Sequence, residues 1–219
     1  EYLVMNRRKA LKNIGFSLGA VSATPTLVSL LGSCQNESKW IPKLLSNSQI
    51  DFISNYIELI IPKTKDIPGG IELGLHKWVD VCAKLILNKE SQKSYLFSLK
   101  CLINETLNSA SKVKIGELKI DDYENQLKKF LLAENFTNKK WSKSVKNYWS
   151  KKPKDLNLND APQQALAYSS LITLRQWTAK GYRFNEYIGK NVLDYRPVPG
   201  EQKGCVDLEE TTGGLIWAI

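Results

Sequence analysis

Residues 46–62 read SNSQIDFISNYIELIIP, and their periodicity decides the fold class. Ile50, Ile53, Ile57 and Ile60 recur at intervals of three and four, which sets them on one face of a helix. Ser46 or Ser48 can cap its start with a hydroxyl, and Pro62, which lacks an N–H, closes its end. The next stretch, PKTKDIPGG (62–70), is dense in turn formers and reads as a loop.

The same pattern recurs downstream. IELGLHKWVDVCAKLILN (71–88) puts Leu75, Val79, Cys82 and Ile86 on one stripe, widened by Trp78 and Leu85. SQKSYLFSLKCLINETLNSAS (91–111) aligns Leu96, Leu99, Ile103 and Leu107. LKIDDYENQLKKFLLAEN (118–135) predicts a short helix capped by Asp121 or Asp122, and residues 139–149 and 161–180 predict two more. The last is expected to end at Gly181 in the manner of a C-cap. No stretch alternates with a period of two between turns. The sequence therefore predicts an all-α, bundle-like domain over residues 48–189, followed by a Pro- and Gly-punctuated, loop-rich tail over 190–219. Tyr195, Val198, Leu215, Ile216 and Trp217 are apolar enough that the tail is expected to dock on a partner.

Upstream the character changes. Residues 35–47 form a polar linker, and residues 1–34 have the order of a secretory signal: a charged region, a modest apolar region and small residues. Asn6-Arg7-Arg8-Lys9-Ala10-Leu11-Lys12 resembles the twin-arginine export motif, with Arg7 and Arg8 as the paired arginines. Leu31-Gly32-Ser33-Cys34 resembles a lipobox, in which Cys34 would carry the lipid. The apolar run over 13–31 holds Gly15, Gly19 and Pro25 and is weaker than a stable span of about 20 strongly apolar residues. These readings predict a protein on the periplasmic side of a bacterial membrane, exported folded and held there by lipid.

The chain has 219 residues, of which 42% are hydrophobic, enough for one ordinary core. Its net charge is +9, and the leader supplies +3 of it (four basic residues against Glu1), leaving +6 for the rest. NKKWSKSVKNYWSKKPK (138–154) interleaves lysines with aromatics, a pattern that could neutralise phosphates and stack on bases. Trp141, Val145, Tyr148 and Trp149 fall at helical spacing, however, so the expectation is an apolar face with a lysine-coated back and no nucleic-acid partner.

The chain carries few of the motifs that mark chemistry. There is no Cys-x-x-Cys-His, no phosphate-binding glycine loop and no Gly-x-Ser-x-Gly elbow. His76 could act as a base oriented by Asp80, but a lone histidine on an amphipathic helix is more often structural. No spacing offers the four ligands of a zinc site. No catalytic, cofactor-binding or metal-binding residue is therefore expected in this chain. Cys205 could form a disulfide with Cys82 or Cys101 in an oxidising compartment; three reduced thiols are the alternative.

ELIIPKTKDIPGG (58–70), the following GLHKWVD (74–80), and GYRFNEYIGKNVLDYRPVPGEQKGCV (181–206), together with the twin-arginine leader, resemble the gluconate 2-dehydrogenase subunit 3 family. The most specific parts are Ile61-Pro62 with Pro68-Gly69, Gly181-Tyr182, and Tyr195 through Gly200 into Gly204-Cys205. The resemblance implies a non-catalytic small subunit of a membrane-associated sugar or sugar-acid dehydrogenase. Its catalytic partner would be an FAD-dependent subunit of the glucose–methanol–choline type, with a cytochrome c subunit that can carry haem c and take the electrons. The small subunit would support export and maturation of the flavoprotein. Gly181, Tyr182, Tyr195, Pro197, Pro199 and Gly200 would lie at the partner interface. The competing expectation is a stand-alone periplasmic lipoprotein that binds a small ligand or a surface partner.

Overall fold

The computed structural model describes residues 40–151, 160–196, 200 and 205–218. Contacts divide the chain into two compact units, 1–41 and 42–219, and every element named below lies in the second. In chain order these are α1 (Asn47–Ile60), α2 (Leu75–Leu85), α3 (Lys89–Ser109), a 3-10 turn (Ile115–Glu117), α4 (Ile120–Leu131), α5 (Asn135–Trp149), α6 (Gln163–Arg183), α7 (Glu186–Asn191) and α8 (Leu208–Thr212). No strand occurs among the described residues; one isolated bridge pairs Asp194 with Trp217. The all-α expectation holds.

Ser46, not Ser48, caps α1. Its Oγ accepts from Gln49 N at 3.3 Å while Gln49 Oε1 accepts from Ser46 N at 2.9 Å, a reciprocal capping box. Ile50, Ile53 and Ile57 are buried as predicted, and Phe52 and Tyr56 join them. Phe52, Tyr56 and Tyr123 of α4 pack edge-on or tilted with centroids 5.1–5.4 Å apart, which ties α1 to α4.

α6 is the central helix. It lies along α3 and also touches α1, α2, α5 and α7. Its inward positions alternate small residues with leucines: Ala167, Ser170, Leu171, Leu174, Thr178 and Gly181. The small residues let neighbouring helices approach closely, and each fully buried leucine contributes about 1.5–3 kcal/mol.

Four predicted details are corrected by the packing. Leu85 and Ile86 do not extend the α2 stripe; they are 76% and 68% exposed, because α2 stops at Leu85 and Asn88 caps α3 three residues later. In α3 the innermost line is Tyr95, Leu99, Leu102 and Thr106, while Leu96, Ile103 and Leu107 flank it half-buried. Thr106 can be inside because its hydroxyl donates to Leu102 O at 2.8 Å and takes the Tyr56 hydroxyl at 2.9 Å. Asp121 and Asp122 are not N-caps of α4 but sit in its first turn, where Asp122 Oδ2 accepts from Lys119 N at 2.7 Å. α6 does not end at Gly181; it runs on to Arg183.

The aromatics of the lysine-rich segment are taken up by packing. Trp141 sits 5.3 Å from Phe130 and 5.0 Å from Tyr168, and Trp149 meets Phe97 at 6.2 Å. Tyr148 is buried. α5 thus presents its rings to α3, α4 and α6.

Candidate partner interface

The chain enters α2 through a tightly fastened loop. Gly70 N donates to Ile61 O at 2.8 Å, and Glu58 Oε2 accepts from Ile71 N at 3.1 Å. Any side chain on Gly70 would collide with Ile57, since a Cβ would lie 2.6 Å from Ile57 Cγ2. The Pro-Gly-Gly turn is therefore a close-packing requirement as much as a turn signal.

Two side chains of α2 hold what surrounds it. Asp80 is fully buried, and its carboxylate accepts from the backbone N–H groups of Lys43 (2.5 Å), Leu44 (3.0 Å) and Leu45 (2.8 Å). Asp80 thus has a structural duty on the backbone just ahead of α1. Trp78 faces α6: its Nε1 donates to Trp177 O at 3.1 Å, and its ring lies directly over Gly181. A Cβ on Gly181 would be 2.5 Å from Trp78 Cδ1. In most helix interiors Gly→Ala stabilises by about 1 kcal/mol. Here Gly181→Ala is expected to cost about 1–2 kcal/mol through overpacking, read as a lower urea midpoint.

His76 is half-buried, and desolvation, aided by the charge of Lys77, lowers its pKa below 6.5. The unfolded chain therefore binds the proton more readily than the folded one. Its contribution to stability is complete above pH 6.5 and is lost as pH falls through the lowered folded value. The urea midpoint is expected to drop between pH 7.5 and pH 5, and His76→Gln to flatten that slope.

Beyond Gly181 the chain builds an exposed apolar corner. Asn185 turns it: Oδ1 caps α7 by accepting from Tyr187 N (3.0 Å) and Ile188 N (3.4 Å), while Nδ2 donates to Leu73 O at 3.2 Å. Phe184, whose ring centroid lies 6.0 Å from that of Trp78, is anchored on one side and 49% exposed on the whole. The tail returns to this corner. Asp194 N donates to Ile216 O, and Ala218 N to Asp194 O, both at 3.0 Å. Arg196 locks the return by donating Nε to Asp194 Oδ2 at 2.8 Å and lying 5.6 Å over the Trp217 ring. Its guanidinium also donates to Thr211 O at the end of α8, whose start is capped by Asp207. Between α7 and the tail lies a hollow of about 270 Å³ whose apolar walls are Phe184, Gly189, Tyr195 and Ala218 and whose polar lining is Arg183, Asn185, Glu186 and Lys190.

Fixed by these bonds, Phe184, Tyr187, Tyr195, Ile216 and Trp217 remain between 44% and 66% exposed. Of the residues expected at an interface, Tyr195 is in this corner and exposed. Tyr182 is half-buried, Gly181 is buried under Trp78, and Gly200 is exposed in a left-handed conformation (φ +77°). Pro197 and Pro199 lie outside the described residues, as do Arg7, Arg8 and Cys34. Cys82 and Cys101 are buried free thiols and Cys205 is an exposed one, so the disulfide from Cys205 is not formed in this structure. Phe184, Tyr187 and the supports Asn185 and Trp78 were not among the expected interface residues. The signal available for them was aromatic density around Gly181, in WTAKGYRFNEY (177–187).

Among the described residues no group of His, Cys, Asp and Glu is placed to hold a metal, and no helix is long and apolar enough to cross a membrane. The polar side chains of α2 hold the chain together, and the distinctive surface is apolar. The molecule is a small all-α subunit. It belongs to the gluconate 2-dehydrogenase subunit 3 family, whose model matches residues 47–200, from the first residue of α1 to just beyond α7. The family is one of dehydrogenase subunits, so the chain has an accessory-subunit role in a dehydrogenase complex. No curated protein and no solved structure matches the chain.

Proposed function

We propose that this chain is the non-catalytic small subunit of a periplasmic, FAD-dependent sugar or sugar-acid dehydrogenase of the glucose–methanol–choline type. The observation that carries the reading is the exposed apolar corner of Phe184, Tyr187, Tyr195, Ile216 and Trp217, held rigid by Asn185, Asp194 and Arg196. Large apolar side chains left exposed on a braced framework are the surface expected of a protein interface, because its parts need little ordering on binding. The flavin belongs to the partner, and haem c to a cytochrome subunit where one is present. The small subunit contributes surface, not electron transfer.

The leader supplies the second half of the role. Arg7 and Arg8 mark the chain for an export route that carries folded cargo, so a flavoprotein docked on the corner would travel with it. Cys34 would then hold the complex on the membrane through its lipid chains, each buried methylene contributing about 0.8 kcal/mol. Substituting Arg7→Lys and Arg8→Lys together is expected to retain both subunits in the cytoplasm and remove at least nine-tenths of periplasmic dehydrogenase activity. Normal periplasmic activity in that variant would refute the shared-export reading.

A further inference from the structure

The outer face of α5 carries charge of one sign. Lys139, Lys140, Lys143 and Lys146 are all exposed, and α5 contains no aspartate or glutamate. On α4, by contrast, the lysines are neutralised within the chain: Lys128 pairs with Glu124, and Lys129 reaches Glu105 of α3 at 2.7 Å. None of the four lysines of α5 joins an ion pair among the described residues.

Two large apolar side chains stand where this face begins. Phe136, in the first turn of α5, is 76% exposed, and Leu132, in the turn after α4, is 78% exposed. At 3.6 residues per turn the four lysines span an arc of about 120°, and Phe136 falls inside it. Trp141, Val145 and Tyr148 occupy the opposite side, where Trp141 meets Phe130 and Tyr168 and Tyr148 is buried. The packing that takes up those rings therefore leaves Phe136 out, among the ammonium groups. From Phe136 to Lys146 the face runs about 15 Å along the helix.

We propose that this face seats the protein on an anionic lipid surface, with α5 lying flat against the headgroups. The lysines meet lipid phosphates, and Phe136 and Leu132 sink into the boundary between headgroups and acyl chains. Surface binding of this kind grows with the apolar area inserted and with the attraction of basic residues to anionic lipid. A fluid interface accepts projecting side chains such as these without a matching pocket, which a folded protein partner would have to supply. A nucleic acid would find charge here, but Trp141 and Tyr148, the rings best suited to stack on bases, are turned inward. The inference rests on α5 and the turn before it; it requires neither the lipid at Cys34 nor the docking corner.

The test is cosedimentation of the purified full chain with vesicles of equal parts phosphatidylglycerol and phosphatidylcholine, and with vesicles of phosphatidylcholine alone. Binding is expected to be at least about tenfold tighter to the anionic vesicles. It should fall as sodium chloride rises from about 0.1 M to about 1 M, where the screening length shrinks from about 10 Å to about 3 Å. Lys140→Glu with Lys143→Glu should weaken it at least about tenfold, and Phe136→Ser about fivefold. Lys65→Glu with Lys77→Glu makes the same change of charge at exposed positions off α5 and should weaken it less than about twofold. The leader is common to every variant, so a difference between the two lysine pairs belongs to α5. All the substituted side chains are exposed, and unchanged urea midpoints will show that folding is intact. Equal loss in the two lysine pairs, or binding indifferent to lipid charge, would overturn the proposal. So would vesicle binding that survives Lys140→Glu with Lys143→Glu while binding of the flavoprotein or of a DNA duplex is lost, which would give the face to that partner. Failure on vesicles leaves the subunit reading untouched, since no flavoprotein takes part in that measurement.

Discussion

Asp80→Ala is expected to destabilise the domain by about 2–3 kcal/mol, the scale of losing hydrogen bonds to a buried charged acceptor. Its carboxylate is fully buried and takes three consecutive backbone N–H groups, those of Lys43, Leu44 and Leu45. Removing it leaves these donors without their acceptor, and alanine can supply none. Asp80→Asn is a milder change. Oδ1 carries the bonds from Leu44 and Leu45, and an amide oxygen can keep them, but the amide NH2 would then face the Lys43 N–H, donor against donor. A loss of about 1–2 kcal/mol is expected for that variant. Urea unfolding of both variants measures the two steps, and a loss below about 1 kcal/mol for Asp80→Ala would show that the segment is held by other means. This bond set matters beyond stability, because it fastens the chain just ahead of α1 to the domain.

The second large effect is expected at the apolar corner. Tyr195→Asp with Ile216→Asp should weaken binding of the catalytic partner by at least about 30-fold, the scale of one lost hot spot. Both side chains are more than half exposed, so the thermal midpoint of the isolated chain should hardly move. Leu85 and Ile86 offer the comparison: they are more exposed still and lie at the far end of α2 from the Asn185 corner. Leu85→Ser with Ile86→Ser should leave binding intact. Equal loss in both pairs would mean that the corner has no special part.

The split between what the residues announced and what they concealed follows the range of the interactions. The cap, stripe and stop of α1 were legible because each depends on neighbours within four residues. Asp80 was not, since its partners lie 35 to 37 residues earlier in the chain and are backbone groups with no side-chain signature. Gly181 invited a C-cap reading because glycine commonly ends helices; its actual reason is the Trp78 ring, 103 positions upstream and visible only once α2 and α6 are packed. The apolar tail residues were visible as candidates for docking. What could not be read was that Asp194 and Arg196 hold the returning tail, through the backbone of Ile216 and Ala218 and the ring of Trp217, while Ile216 and Trp217 stay exposed.

What accompanies the chain when it is isolated under mild conditions from its native membrane tests its accessory role most directly. Purification through this subunit is expected to bring down one larger protein in equal amount, with flavin absorbance, and to lose it in the Tyr195→Asp, Ile216→Asp variant. Recovery of the chain alone, without flavin and with no equimolar companion, would contradict the central claim.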